Sequence, residues 1–370
     1  MNRFLELAAP GVRGLKPYQP GKPIDELERE LGIQNIIKLA SNENPLGPSP
    51  KAMAAAQQAI ADCWLYPDGN GYVLKKALSD KLDVPMESLT LGNGSSDILD
   101  FAVRAFVTPA DEVMFSEHSF AVYPILTQAA GAKATVVPAK DWGTDLAAMK
   151  ARITDHTRLV FIANPNNPTG TWLPGDALED FIRSLPRRTL VLVDEAYFEY
   201  ASHPAMGAQG YPDALRWVQN YPNLIVARTF SKAYGIAGLR VGYGVSHPDV
   251  ADLMNRVRPP FNVNNVALAA ATAALADGDH LARTLETNAA GMRQLEAGFK
   301  AMGLGFIPSV GNFVCVDVGR PAAPVYDALL REGVIVRPVA NYGMPNHLRV
   351  TVGRPEENER FLAALERVLA

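Results

Sequence analysis

The sequence predicts an α/β fold in two parts: a large domain whose mostly parallel sheet is covered by helices, and a smaller α+β domain towards the C-terminus. Three observations carry this expectation. From about residue 50, helical stretches alternate with short apolar runs that end in polar or glycine-rich turns, the pattern of parallel strands covered on both faces. Near Arg258-Pro259-Pro260 the text changes to a long alanine-rich helical region followed by a second group of short strands. The chain has 370 residues, 48% of them hydrophobic, which is enough for a large core plus a smaller one.

Residues 1–40 carry Pro10, Pro17, Pro20 and Pro23 ahead of a helical pattern at 24–31, and read as an arm that packs against another surface. Strands are expected at 112–115, 134–137, 159–163, 190–193 and 224–227, each ending beside residues able to do chemistry. In open parallel sheets ligands bind beyond the carboxyl ends of the strands, so these turns are expected to converge on one crevice. The helical region 266–302 reads as a connector with a break at Asp277-Gly278-Asp279. Strands at 313–318, 334–337 and 348–352 and a closing helix from Pro355 complete the pattern. The expected division is 1–40 for the arm and part of the small domain, 41–262 for the large domain, and 263–370 for the connector and the small C-terminal domain.

Composition narrows the function. Lys and Arg number 35 against 39 Asp and Glu, a formal charge of -4 with no basic stripe, so nucleic acid and anionic membrane are poor partners. Cys63 and Cys315 are far apart and lie in no CxxC or Cys/His spacing, so neither a disulfide framework nor a metal site is expected. The N-terminal apolar segment is too short and interrupted for a signal peptide, and no later run is long enough to span a bilayer. A cytoplasmic protein is expected.

The chemistry lies at the strand ends. In TFSKAYGIAGLR, residues 229–240, Lys232 follows an apolar strand and stands among Thr229, Ser231, two glycines and Arg240, an unusual setting for a solvating lysine. In VDEAYFEY, Asp194 emerges from an apolar run that should desolvate it, so it should meet a cation; taken alone, a helix N-cap is the plainer reading. Tyr197 lies a turn further on. NPNNPTG, residues 164–170, fixes an irregular turn from which Asn167 can donate to an oxygen on a bound ring. In TLGNGSSDILDFAVRAF, Gly94, Ser95 and Ser96 precede an amphipathic helix whose free amides and dipole suit phosphate. That run matches neither GxGxxG nor GxxxxGK[ST]. A phosphate at the helix start and Arg240, a ring cation facing Asp194, a ring oxygen facing Asn167 and Tyr197, and an amine at Lys232 together describe pyridoxal phosphate.

At this point the chain resembles the fold-type I aminotransferases and, within them, the histidinol-phosphate aminotransferase family. SNENPLGPSP, LYPDGNG, LGNGSSD, NPNNPTG, VDEAYFEY, TFSKAYGIAGLRVGY and HLRVTVG occur in that order over nearly the whole chain. The resemblance implies that Lys232 is the Schiff-base lysine, that Asp194 faces the pyridine nitrogen, and that Asn167 and Tyr197 serve the ring oxygen. Gly94, Ser95, Ser96, Thr229, Ser231 and Arg240 would surround the phosphate. Tyr66 would reach that phosphate from the other subunit of a homodimer. Arg337 and Arg349, read at strand ends, would hold the substrate phosphate or the carboxylate of glutamate and 2-oxoglutarate, with Asn42 also on the substrate side. In SEHSFAVYPIL the chain departs from the family's proline-threonine-tyrosine. Phe120 then stands where a ring stacks on the cofactor, and His118 is open to two readings, a turn histidine or a substrate contact.

The activity implied is transamination of L-histidinol phosphate with 2-oxoglutarate, giving imidazole acetol phosphate and L-glutamate in histidine biosynthesis. Aromatic amino acid aminotransferase is the alternative, and threonine-phosphate decarboxylase a more distant one. A non-catalytic cofactor-binding regulator ranks low, because the chain has no basic helix or spare residues for a DNA-binding domain.

Overall fold

The computed structural model describes residues 3–370. Its principal sheet runs in the order Leu89–Gly92, Gly242–Ser246, Leu224–Thr229, Leu190–Asp194, Thr157–Ala163, Glu112–Ser116, Lys133–Val137. The last five are the strands expected from the sequence, and neighbours among them pair in parallel. Ala163 lies opposite Asp194, and Asp194 opposite Ala227, so the turns carrying Asn167, Asp194 and Lys232 leave the sheet at one edge.

Side chains alternate across these strands. Val160, Ile162, Val191, Val193 and Val226 enter one core, while Leu159, Phe161, Leu190, Leu192 and Ile225 enter another on the opposite face. Both faces are covered in all of these strands but the edge one, Lys133–Val137, which is why the four inner ones read as largely unbroken apolar runs. Helix Ser95–Phe106 supplies Phe101 and Ala102 to the second core, and Asn265–Leu275 supplies Ala267, Ala270 and Ala274 to the first. The expected break is present: that helix ends at Leu275, and Gly278–Ala301 starts where the Asp277 side chain accepts from the His280 amide.

Two strands of this sheet were not expected. Gly242–Ser246 is antiparallel to both its neighbours, one of which is Leu89–Gly92. Its glycines weaken the strand signal, and packing explains them: a Cβ on Gly242 would stand 2.4 Å from the Ser95 amide nitrogen, and one on Gly244 2.7 Å from Ile98 Cγ2. Bare backbone here lets the start of helix Ser95–Phe106 lie against the sheet.

The smaller part is an antiparallel sheet in the order Arg337–Pro338, His347–Thr351, Phe313–Asp317, Phe306–Ile307. Helices Gly278–Ala301, Ala322–Arg331 and Pro355–Leu369 close its core with Leu295, Phe299, Leu329 and Phe361. The single strand expected at 334–337 is two. Val334–Ile335 pairs in parallel with Ile37–Lys38 of the N-terminal segment, and only Arg337–Pro338 joins the sheet. Pro338 lacks an N–H, which confines it to the edge. Helix Ile24–Leu31 buries Leu27 against Leu330 and Ile335, so the arm is built into this part. Among the described residues no helix is long and apolar enough to cross a membrane, and no His, Cys, Asp and Glu cluster could hold a metal.

Candidate active site

A cavity of about 200 Å³ opens where the two parts meet at the carboxyl edge of the large sheet. Lys232 stands on its wall, in a turn that begins as strand Leu224–Thr229 ends; the Ser231 amide donates to Thr229 Oγ1 at 3.1 Å and the Gly235 amide to the Lys232 carbonyl at 3.0 Å. Lys232 Nζ donates to the Ser41 carbonyl at 3.0 Å. The segment from Ser41 is clamped onto this turn: Asn44 Nδ2 donates to the Ala233 carbonyl at 3.0 Å, and a Cβ on Gly235 would stand 2.2 Å from the Gly47 carbonyl oxygen. Burial, then the positive charge of Arg349, brings the Lys232 ammonium down to about 7, so a large fraction is neutral amine near pH 7.

Asp194 faces the same cavity from the neighbouring strand, nine-tenths buried. It is not a helix N-cap: the short helix Phe198–Ala201 begins later, capped at Tyr197. Nor does a salt bridge to Asp194 occur among the described residues. Its partners are the Tyr123 hydroxyl, donating to Oδ2 at 2.9 Å, and the Ala196 amide, donating to Oδ1 at 3.2 Å. Burial pushes its carboxyl up to about 6, against these two hydrogen bonds and the Lys232 charge. Tyr123 was not singled out from the sequence; nothing in AVYPIL marks it, because its place depends on the tertiary contact between helix Val122–Ala129 and Asp194 at the end of strand Leu190–Asp194.

The other end of the cavity is built for an anion. Gly94 precedes helix Ser95–Phe106 at φ 82 without a side-chain cap, and Ser95 and Ser96 line the cavity. The Arg240 guanidinium packs where a Gly94 Cβ would be, 2.3 Å from Nη2, and its Nη1 donates to Ser231 Oγ at 3.2 Å. Thr229 completes the wall. Helix amides, hydroxyls and a guanidinium at one point match a phosphate.

Above lie the remaining candidates. Asn42, at φ 57, donates from Nδ2 to the Tyr197 hydroxyl at 2.8 Å, and burial pushes Tyr197 up to about 12. Arg349 is not at a strand end: it is the third residue of His347–Thr351 and lies opposite Arg337. Its Nη1 donates to Asn167 Oδ1 and its Nη2 to the Ala40 carbonyl, both at 2.6 Å, while its buried Nε has no partner among the described residues. Arg337 donates to the Gln19 carbonyl at 2.6 Å, and Tyr18 of the arm, also missed from the sequence, reaches the cavity beside it. Phe120 lines the cavity and Tyr123 meets its ring edge-on at 5.9 Å. His118 does not line it; its Nδ1 bonds the Tyr342 carbonyl at 2.5 Å. Tyr66 lies away from its own chain's cavity, 83% exposed and stacked on Phe261 at 4.7 Å.

The family model for aminotransferase class I and II matches residues 34–365. The chain belongs to this aminotransferase family. It is 61% identical to histidinol-phosphate aminotransferase 2 of Pseudomonas fluorescens over 369 residues, covering 99% of this chain and 98% of that protein. It is 60% identical to histidinol-phosphate aminotransferase 1 of Nitrosococcus oceani over 366 residues, covering 99% and 98%. Among solved structures, the histidinol-phosphate aminotransferase from Sinorhizobium meliloti in complex with pyridoxal-5'-phosphate superposes with a TM-score of 0.89 at 32% identity, over 100% of this chain and 98% of that one. An aspartate aminotransferase from Thermus thermophilus with maleate shares the fold, at a TM-score of 0.82 and 21% identity, over 97% and 99%. The aminotransferase fold is thus the fold-type I arrangement expected from the sequence.

Proposed function

We propose that this aminotransferase holds pyridoxal phosphate in the cavity and transaminates L-histidinol phosphate with 2-oxoglutarate, yielding imidazole acetol phosphate and L-glutamate. The observation that carries the reading is the pairing of Arg337 with Arg349 at the cavity that also holds Lys232 and Asp194. The cofactor fits residues already in place: a buried carboxylate with neutral donors only, an uncapped helix start beside Arg240, and a lysine amine between them. When bound, pyridoxal phosphate supplies an aldehyde that condenses with amines and a protonated ring that withdraws electrons.

The chain's residues do the rest. Lys232, held near pH 7 by burial, can accept a proton at its amine and return it at the neighbouring carbon, the task of a general base and acid. Asp194 would set a negative charge against the ring nitrogen. Asn167 and Tyr197 would hold the ring oxygen. Ser95, Ser96, Thr229, Ser231 and Arg240, with Gly94 as the turn, would hold the phosphate. Arg349 and Arg337 receive the distal anion of each substrate, with Asn42 alongside, and Phe120 offers a ring face.

The assembly we propose is a homodimer with shared sites, Tyr66 reaching the partner's cofactor phosphate. Support comes from an exposed apolar surface in one stretch of chain: Trp64 is 78% exposed, Tyr66 83% and Val73 66%, with Ile60, Leu65 and Phe261 nearby in sequence or contact. A cytoplasmic location is proposed on two free cysteines, Cys63 and Cys315. The two-domain division with an N-terminal arm is likewise proposed, supported by the separate cores of the two sheets.

The test uses Arg337→Ala. Histidinol phosphate offers a dianion that engages both arginines, whereas phenylalanine offers one carboxylate for Arg349. Losing one desolvated charge partner costs about 2 to 5 kcal/mol, or roughly 30-fold to several-thousandfold in kcat/KM. Arg337→Ala should lose that much on histidinol phosphate and far less on phenylalanine. Equal losses, or a parent enzyme faster on phenylalanine, would overturn the assignment.

A further inference from the structure

A second cavity, of about 590 Å³, lies between residues 140–144 and 171–173 of the large part and Phe306–Ile307, Asp317 and His347 of the small one. Its walls combine Trp142, Trp172 and Phe306 with two carboxylates, Asp141 and Asp317, against one ammonium, Lys140. None of these residues lines the cavity that holds Lys232.

Trp142 is held there against its backbone preference. Asp141 at φ 50 and Trp142 at φ 64 form a two-residue turn closed by Lys140 and Gly143, with N to O distances of 2.9 and 2.8 Å. Such a turn takes glycine at its second central position, and a bulky side chain there is strained. Strain that persists is a pointer to function. The indole meets the His347 ring edge-on at 5.0 Å and lies 5.3 Å from that of His118. His347 is nine-tenths buried, and among the described residues its Nδ1 has no hydrogen-bond partner. Burial holds its pKa below the ordinary histidine value, so it adds no positive charge to the groove at neutral pH. The Asp317 carboxylate accepts from the Gly319 amide at 2.9 Å, which fixes it at the wall.

From this geometry we propose that the groove is a second binding site, for an aromatic organic cation whose ring lies on Trp142 and whose positive end meets Asp317 and Asp141. Aromatic faces and an excess of carboxylate are the two features that select such a ligand over a neutral ring or an anion. His347 and Arg349, two residues apart, project from the same face of strand His347–Thr351, so the two cavities share one wall.

Phenyltrimethylammonium tests the site in the holoenzyme, because it has no N–H with which to condense with an aldehyde. Binding is followed by tryptophan fluorescence and by titration calorimetry, with benzenesulfonate as the anionic control. The expected result is saturable binding of the cation, about tenfold or more tighter than the sulfonate, and weakened about tenfold in both Trp142→Gly and Asp317→Asn. Trp142→Gly relieves the turn, and Asp317→Asn keeps the acceptor for Gly319, so both should fold. Absence of saturable binding, equal affinity for the sulfonate, or unchanged affinity in either variant overturns the proposal. The readout is binding, so it stands or falls apart from any transaminase assay.

Discussion

Asp194 and Glu195 are consecutive residues at the end of one strand, yet they are buried in opposite ways. Glu195 is sealed in the core: its Oε2 accepts from Arg228 Nε and Nη2 at 2.9 and 2.6 Å, and its Oε1 from the Ala214 amide at 3.1 Å. Arg228 also bonds Asp213 at 2.6 Å and lies over the Phe198 ring at 3.4 Å. Among the described residues Asp194 meets only a phenol and an amide, and it lines the cavity. A carboxylate matched by a fixed guanidinium has nothing left for a ligand. One held by neutral donors carries a standing electrostatic cost that an arriving cation can relieve.

The largest expected effect is on the open side. Among the described residues Lys232 is the one lysine lining the cavity of Asp194 and the anion cradle, and on Lys232→Ala activity should fall about a hundredfold to ten-thousandfold, the span of a positioned acid-base group. A borohydride-reducible cofactor link surviving at the same place would contradict the assignment. Mixing Lys232→Ala with Tyr66→Phe chains extends the test to assembly. One site of each hybrid dimer then carries neither defect, and verified hybrids that stay inactive would count against shared sites.

The closed side should respond in stability instead. Arg228→Met leaves Glu195, Asp213 and the nearby Glu199 without their common cation, and removing one partner of a buried pair costs about 3 to 5 kcal/mol. Denaturant unfolding should show that loss, with kcat per folded molecule changed little. A loss under about 1 kcal/mol would mean that the network is not the strut described.

How much of this was legible in the sequence follows the same line. The five parallel strands were: in four of them burial on both faces leaves an unbroken apolar run, as in Leu190–Asp194, while the largely exposed edge strand Lys133–Val137 shows only a short run rich in β-branched residues. The strand Gly242–Ser246 was not, since its glycines answer to Ser95 and Ile98, residues far away in the chain. The division of 334–337 was hidden because its partner, Ile37–Lys38, lies in the arm. At the site, residues on local motifs such as Lys232, Asp194 and Asn167 were readable, and the structure brings them to one cavity. Tyr123 and Tyr18 were not, for each gains its place only through a tertiary contact that no local spacing encodes.

The smallest expected effect is the most specific to the contrast. With a folded-state pKa of about 6 against an ordinary 3.8, Asp194 favours the fold when protonated. The sign follows: its contribution is fully present below about pH 4 and is lost as pH rises through 6, amounting to about 2 to 3 kcal/mol by pH 8. Asp194→Asn cannot ionise, and the Tyr123 hydroxyl can turn from donating to accepting if the new amide faces it. In the apoprotein the variant should therefore match the parent near pH 4 and exceed it by about 2 to 3 kcal/mol at pH 8, in urea unfolding. With the cofactor bound the order should reverse, since the ring cation then meets a carboxylate in the parent and a neutral amide in the variant. An apoprotein advantage that does not vary with pH would show that Asp194 carries no such cost, and the distinction between open and closed carboxylates would fail at its central residue.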